Sequence, residues 1–259
     1  MNTNTIFPNK LRHFKTSWLA AVLAAAYVAA LALGLAFSSR AASLPNHMPF
    51  RRLLHSTSSN WSGYAAYGAA GSFNSVSANW VQPLVTCSNR QNSYSSFWVG
   101  LDGYSDSTVE QIGTEADCSR GHAQYYAWYE MYPHSTVLIT TALKAGDSLS
   151  ASVVYSAKNT FSLKLSDSTS HLTYSTTQRM TSPQLSSAEA IAEAPWSRGV
   201  LPLANFGTAN FSAALANGQP LGGFTSLDPL TMIDPYGMKS TPTAFDSTKE
   251  SFSVTWSAS

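Results

Sequence analysis

From Asn60 onward, apolar and polar residues alternate with a period of two, the pattern of half-buried β-strands. FNSVSANWVQP alternates and stops at Pro83. SSFWVGLDG is a short aromatic and β-branched run closed by a turn, and AQYYAWYEMYP is a dense aromatic strand ending at Pro133. STVLITTAL leads into the turn KAGDS. SLSASVVYSA and TFSLKLSDST pair as a hairpin with Lys158-Asn159 at the bend; HLTYSTTQ, ANFGTANFSAAL and ESFSVTWSAS follow. Short strands at regular spacing, with no convincing amphipathic helix, predict an all-β chain folded as an antiparallel β-sandwich. There is no internal repeat, no glycine-rich phosphate loop and no G-x-S-x-G elbow.

The N-terminal 43 residues follow another pattern. Lys10, Arg12 and Lys15 precede an unbroken apolar run over residues 18–37, and SSRAAS then offers Ser39 and Ala41 in a −3/−1 relation for cleavage. This reads as a signal peptide. The run, at about 20 residues, is also long enough for an uncleaved signal anchor. Either reading puts the remainder outside the cytoplasm, as a secreted protein or one tethered to a membrane through residues 18–37. Residues 44–59 contain prolines, the dibasic pair Arg51-Arg52 and a polar tail, and read as a linker or short propeptide. Residues 60–259 form the sandwich domain.

Composition narrows the function. The chain has 259 residues, 44% hydrophobic and only 11% charged, so serine and threonine supply much of its polarity. A surface built that way loses few ion pairs in acid. Setting aside Lys10, Arg12, Lys15 and Arg40 leaves 11 bases against 14 acids, which argues against a nucleic-acid partner. Cys87 and Cys118, an even count in an exported chain, suggest one disulfide, with two free buried thiols as the other reading. They have no histidines at ligand spacing, so neither a metal nor an organic cofactor is expected. His47, His55, His122, His134 and His171 fall in loops or termini and His13 in the signal; no Ser/His/Asp arrangement can be argued from them.

Two stretches carry candidate chemistry. In YYAWYEMY, alternation puts Tyr126, Trp128 and Glu130 on one face, either as a cleft with flat apolar walls and one carboxyl or as an outward, solvated glutamate flanked by aromatics. In SSAEAIAEAP, Glu189 and Glu193 share a face whether the segment is a strand or a helix. Alanine favours the helix, and the spacing alone favours a short surface helix with two solvated acids.

SANWVQP, SFWVGLDG, VEQIGTEAD, YYAWYEMYP, AGDSLSASV, SSAEAIAEAP and PLANFGTANF occur in the order found in the glutamic peptidases, the eqolisins, which this chain resembles from about Asn60 to Phe211. The resemblance implies two large antiparallel sheets related in shape to legume lectins, and a monomeric, pepstatin-insensitive endopeptidase acting on polypeptides in acid. It implies a catalytic dyad of Gln111 and Glu193, with Glu189 structural. It places Asp102, Glu115 and Glu130 beside the dyad as hydrogen-bond partners or substrate contacts, and Trp98 and Trp128 around the cleft. The chain departs from the family pattern at Ala190 and Ala192, where a bulky aromatic and a β-branched residue are usual; that could widen a pocket or loosen the strand. Two other functions compete. A glycoside hydrolase would use Glu130 and Glu193 as its pair of carboxyls and would not need Gln111. A non-catalytic carbohydrate- or peptide-binding sandwich would stack Trp98 and Trp128 on its ligand.

Overall fold

A computed structural model describes residues 45–49, 56–88, 91–139 and 142–258. The expected signal peptide or anchor and the Arg51-Arg52 pair lie outside these residues. Among the described residues, no helix is long and apolar enough to cross a membrane.

Sixteen strands follow in order among the described residues: β1 (Thr57–Ser58), β2 (Trp61–Tyr67), β3 (Ser75–Val81), β4 (Ser96–Leu101), β5 (Val109–Ser119), β6 (His122–Tyr132), β7 (Val137–Ile139), β8 (Ser148–Ser156), β9 (Thr160–Asp167), β10 (Leu172–Arg179), β11 (Ser187–Glu193), β12 (Thr208–Ala216), β13 (Gln219–Pro220), β14 (Leu227–Asp234), β15 (Gly237–Pro242) and β16 (Phe252–Trp256). The alternation in the sequence accounts for most of them. In β8 and β9 every second side chain is buried, and Lys158 and Asn159 take the positive φ that a tight hairpin turn requires.

Strand order is β10-β9-β8-β3-β12-β16-β15-β14-β2-β11-β4-β5-β6-β7. The ladder folds back on itself at β14. Residues Leu227–Leu230 pair with β2, and Met232–Asp234 pair with β15, with a register shift between Met232 and Ile233. β14 thus belongs to both layers of the sandwich. All the pairings between named strands are antiparallel except that of the short β1 with β14.

The core lies between the layers. Phe97, Val99 and Leu101 of β4, Ile112 of β5 and Ala188, Ala190 and Ala192 of β11 belong to the same buried cluster as Val76 and Trp80 of β3, Val153 of β8 and Leu163 of β9. Trp80 Nε1 donates across the gap to Thr114 Oγ1 at 3.1 Å, so its one polar atom is satisfied in the core. Ala190 and Ala192 therefore face the core and not the substrate side, and their small size does not widen a pocket. A disulfide joins Cys87 to Cys118, with their Cα atoms 5.4 Å apart. Cross-linking a sequence separation of 31 residues stabilises the fold by about 3–4 kcal/mol. It holds the segment after β3 against the end of β5.

Candidate active site

The face of the second layer that points away from the first carries a second buried cluster, Trp61, Ala65, Trp98, Val109, Trp128, Ile191 and Leu230. Register rows across this face place the polar residues. One row runs Glu130, Gln111, Gly100, Glu189, Ala65. The next runs Trp128, Gly113, Trp98, Ile191, Gly63, and the third Tyr126, Glu115, Ser96, Glu193, Trp61. Paired residues of an antiparallel ladder share a face, so register alone brings together groups far apart in sequence.

A glycine in the middle row makes the arrangement possible. A Cβ on Gly113 would stand 2.4 Å from the Phe97 carbonyl oxygen and 2.5 Å from Trp98 Cβ. The missing side chain leaves room for Trp98, whose indole N–H reaches Glu193 on β11. Gly113→Ala is expected to cost roughly 2–3 kcal/mol through overpacking against backbone, read as a lower urea midpoint; unchanged stability would contradict this packing.

Trp98 Nε1 donates to Glu193 Oε2 at 2.8 Å, and Asn60 Nδ2 donates to Oε1 at 3.4 Å. The Glu193 carboxyl is fully buried and held by two side-chain donors. On the first row, Gln111 Nε2 donates to Glu130 Oε2 at 3.1 Å and to the carbonyl oxygen of His47 at 3.2 Å, while Oε1 of Gln111 accepts no hydrogen bond. Gln111 and Glu193 do not bond to each other. They lie two strands and four residues apart, about 16 Å between Cα atoms from strand geometry, and their side chains meet through His47. The His47 ring has Nδ1 3.4 Å from Glu193 Oε2 and Nε2 3.4 Å from Glu115 Oε1, and it stacks on Trp128 with centroids 3.6 Å apart.

Several expectations change here. SSAEAIAEAP is not a surface helix: it is strand β11, flanked by β2 and β4, and both glutamates are fully buried. Glu130 is not an outward, solvated acid; it receives Gln111, the His47 N–H at 3.0 Å and Thr136 Oγ1 at 3.0 Å. Asp102 stands apart from Glu193. Its carboxylate accepts the amides of Gln184, Leu185 and Ser186 at 2.9, 2.8 and 2.7 Å, which ties down the segment entering β11. Trp98 is covered on all sides, with Trp61 edge-on at 4.8 Å, so it cannot stack on a ligand; Trp128 can. Sequence reasoning missed His47, Asn60 and Ser96. No periodicity marks the first two, and Ser96 looks like any strand serine.

Ser96 Oγ lies 3.4 Å from His47 Nδ1, which with Glu115 gives the connectivity of a serine triad. The spacing exceeds the about 2.6–3.2 Å at which a base takes a nucleophile's proton.

The site is dense in acids that burial holds in their neutral form. Burial raises Glu193, and the nearby Glu130 raises it further. Burial likewise pushes Glu115 well up, with Asp117 beside it adding to the effect. Glu130 is raised to about 8 by burial, against the hydrogen bonds it accepts. Glu189 is raised by burial, with Asp102, Asp106 and Glu110 as acidic neighbours, and no hydrogen bond reaches either of its oxygens. His47 is pushed down by burial, so its ring is held neutral. Such a row of carboxyls can hold few negative charges at once, and each ionisation raises the cost of the next. Among the described residues, no group of three or more His, Cys, Asp or Glu side chains could hold a metal ion.

No curated protein sequence matches the chain. Among solved structures, scytalido-glutamic peptidase with a transition-state analogue inhibitor is similar at a TM-score of 0.65 and 22% identity, over 77% of this chain and 98% of that one. The eqolisin SCP-B, in complex with the tripeptide Ala-Ile-His, is similar at 0.61 and 22%, over 77% and 98%. Aspergilloglutamic peptidase from Aspergillus niger is similar at 0.56 and 23%, over 64% and 99%. These likenesses establish the eqolisin sandwich fold. The profile of the peptidase A4 family matches residues 59–256, most of the chain, and the chain therefore belongs to that family, the glutamic peptidases.

Proposed function

We propose that this peptidase is a secreted acid endopeptidase that hydrolyses peptide bonds with Glu193 and Gln111. Glu193, ionised, takes a proton from the attacking water and then gives it to the departing amine. Gln111 Nε2 donates to the carbonyl oxygen as it becomes an oxyanion, and its unpartnered Oε1 accepts a hydrogen bond from the water and orients it. Glu130 fixes the amide by accepting from Nε2.

One observation carries the reading. Gln111 Nε2 already donates to a peptide carbonyl, that of His47, while the same residue's ring touches Glu193. The backbone of one residue thus reaches Gln111 and its side chain reaches Glu193. Work in acid requires Glu193 to ionise ahead of Glu115 and Glu130, since burial raises all three and the site can hold few negative charges at once.

The test is digestion of an unfolded protein substrate from pH 2 to 8 with pepstatin present. It uses the full chain and its His47→Ala variant, since His47 covers the site. Cleavage confined to acid and insensitive to pepstatin is expected. Folded protein that cuts at no pH in either form, or only near neutrality, would overturn the reading.

A further inference from the structure

A cavity of about 500 Å³ opens between the segment that follows β3 and the loop that follows β11. Its volume is within the range of about 300–1,000 Å³ usual for small-molecule sites. Trp256, at the end of β16, forms one wall. Asn92, Asn205, Thr86 and Ser93 face it across the opening, and none of the residues lining the cavity is charged. It shares no residue with the cleft around Gln111 and Glu193.

We propose that this cavity binds a neutral sugar unit. The site does not depend on the peptidase reading, and it puts the sugar on Trp256 rather than on Trp98 or Trp128.

The rim is preorganised. The Thr86 N–H donates to the Asn205 carbonyl at 2.8 Å, and the Tyr94 N–H to that of Pro202 at 2.9 Å. Ser93 exchanges both backbone hydrogen bonds with Cys118, at 3.1 and 2.8 Å, and the Cys87–Cys118 disulfide pins the same segment to β5. With the rim backbone paired in this way, a ligand is left the side chains. An extended peptide, which adds to a free strand edge through its main chain, is a poor match.

Those side chains are of two kinds. Asn205 Oδ1 accepts from the Gly207 N–H at 3.1 Å, and Asn92 Oδ1 accepts from the Arg120 N–H at 3.0 Å. Each bond fixes its amide and leaves the amino group as a donor with no partner among the described residues. The hydroxyls of Thr86 and Ser93 can both donate and accept. Trp256 is half-buried: it packs against the core cluster and turns its remaining surface to the cavity. A sugar matches both kinds. Its C–H face covers an indole, and its hydroxyls pair with amides and hydroxyls. An anion finds no cation in this lining, and an aliphatic ligand would cover the amino groups without pairing them.

The experiment titrates the full chain with glucose, galactose, mannose and N-acetylglucosamine and with their disaccharides, followed by saturation-transfer NMR and tryptophan fluorescence. At least one is expected to bind with a dissociation constant of ~0.1–10 mM. Trp256→Ala should weaken binding at least ~10-fold. Asn92→Ala, on the exposed rim, should weaken it ~5-fold and melt with the parent; with Asn205→Ala it carries the test if Trp256→Ala misfolds. No binding of any of these sugars at ~50 mM would overturn the site. So would an affinity unchanged in the folded variants, or one lost in Trp128→Ala, which would move the sugar to the cleft. Two sources share this chemistry, a glycan carried by a substrate protein and a free polysaccharide. A glycoprotein cut faster than its deglycosylated form by the parent, but not by Asn92→Ala, assigns the site to substrate glycans. Equal cutting of the two forms, with the parent still binding the sugar more tightly than Asn92→Ala, assigns it to a free polysaccharide.

Discussion

Glu193→Gln is expected to abolish cleavage, by at least ~10³-fold in kcat, while the protein melts no lower than its parent. It is measured in the His47→Ala background, because His47 contacts both Gln111 and Glu193. The new amide oxygen still accepts from Trp98 or Asn60, the two donors that hold the carboxyl. What the variant loses is the ability to accept and return a proton. Gln111→Ala should cost ~10²–10³ in kcat with a smaller change in KM, the signature of a donor that acts on the developing oxyanion. Glu189→Gln is the necessary comparison. Glu189 shares the register row of Gln111 and lies nearer to it along the sheet, about 10 Å between Cα atoms. It lacks what Glu193 has: no donor orients its carboxyl and no peptide touches it. Its replacement should leave kcat within ~10-fold. A severe loss in Glu189→Gln with a mild one in Glu193→Gln would move the base to the first acid of the motif. Severe loss on Glu130→Gln with Gln111→Ala mild would instead favour the glycosidase pair and a carbohydrate substrate.

The same comparison shows which parts of the molecule are legible in sequence. β8 and β9 carry their period openly, because one face of each meets the core and the other meets water, and β10 alternates between half-buried and exposed. β11 does not. Both of its faces are buried, one in the core through Ala188, Ala190 and Ala192 and the other in the cleft through Glu189, Ile191 and Glu193. A run of alanines with acids four apart carries helix propensity, and only ladders to β2 and β4 on either side override it. β14 and β15 are equally silent: residues 218–259 hold no motif, yet β14 links the two layers. The family motifs lead to Gln111 and Glu193 but not to His47, whose partners lie 64 and 83 residues away in sequence at Gln111 and Glu130. Nothing local in PNHMP signals a cleft. The role of Asp102 is also hidden, since its three amide partners come from a loop more than 80 residues later.

Stability should be greatest in acid and fall as pH rises toward neutrality, the reverse of most proteins. Asp102 and Asp117 are raised to about 6, Glu130 to about 8 and Glu110 to about 9, each chiefly by burial, while Glu115, Glu189 and Glu193 are raised for the same reason. A carboxyl with a folded pKa above its unfolded value of about 4 holds its proton more tightly in the folded state. Its contribution is complete below pH ~4 and is lost as pH climbs through the folded pKa. For Asp102 and Asp117 that window is about pH 4 to 6; for Glu130 and Glu110 it extends to about 8 and 9. His47, lowered by burial, opposes this trend as pH falls below about 6.5, and Asp167, Asp234 and Asp246, near the surface and lowered despite some desolvation by local hydrogen bonds, weaken the fold as pH falls below ~4. Each tenfold gain in proton affinity on folding is worth about 1.4 kcal/mol, and several groups titrate together, so the melting temperature should drop by at least ~10 °C between pH 4 and pH 8. Glu110→Gln isolates the cause. Glu110 pairs with Leu101 and Met131 on the face of β5 opposite to Gln111, and neither of its oxygens has a hydrogen-bond partner. Its neutral isostere should match the parent at pH 4 and melt higher at pH 8. A melting temperature that is flat or rising across this range, or a Glu110→Gln variant with the parent's full pH slope, would show that these acids ionise in place without straining the fold.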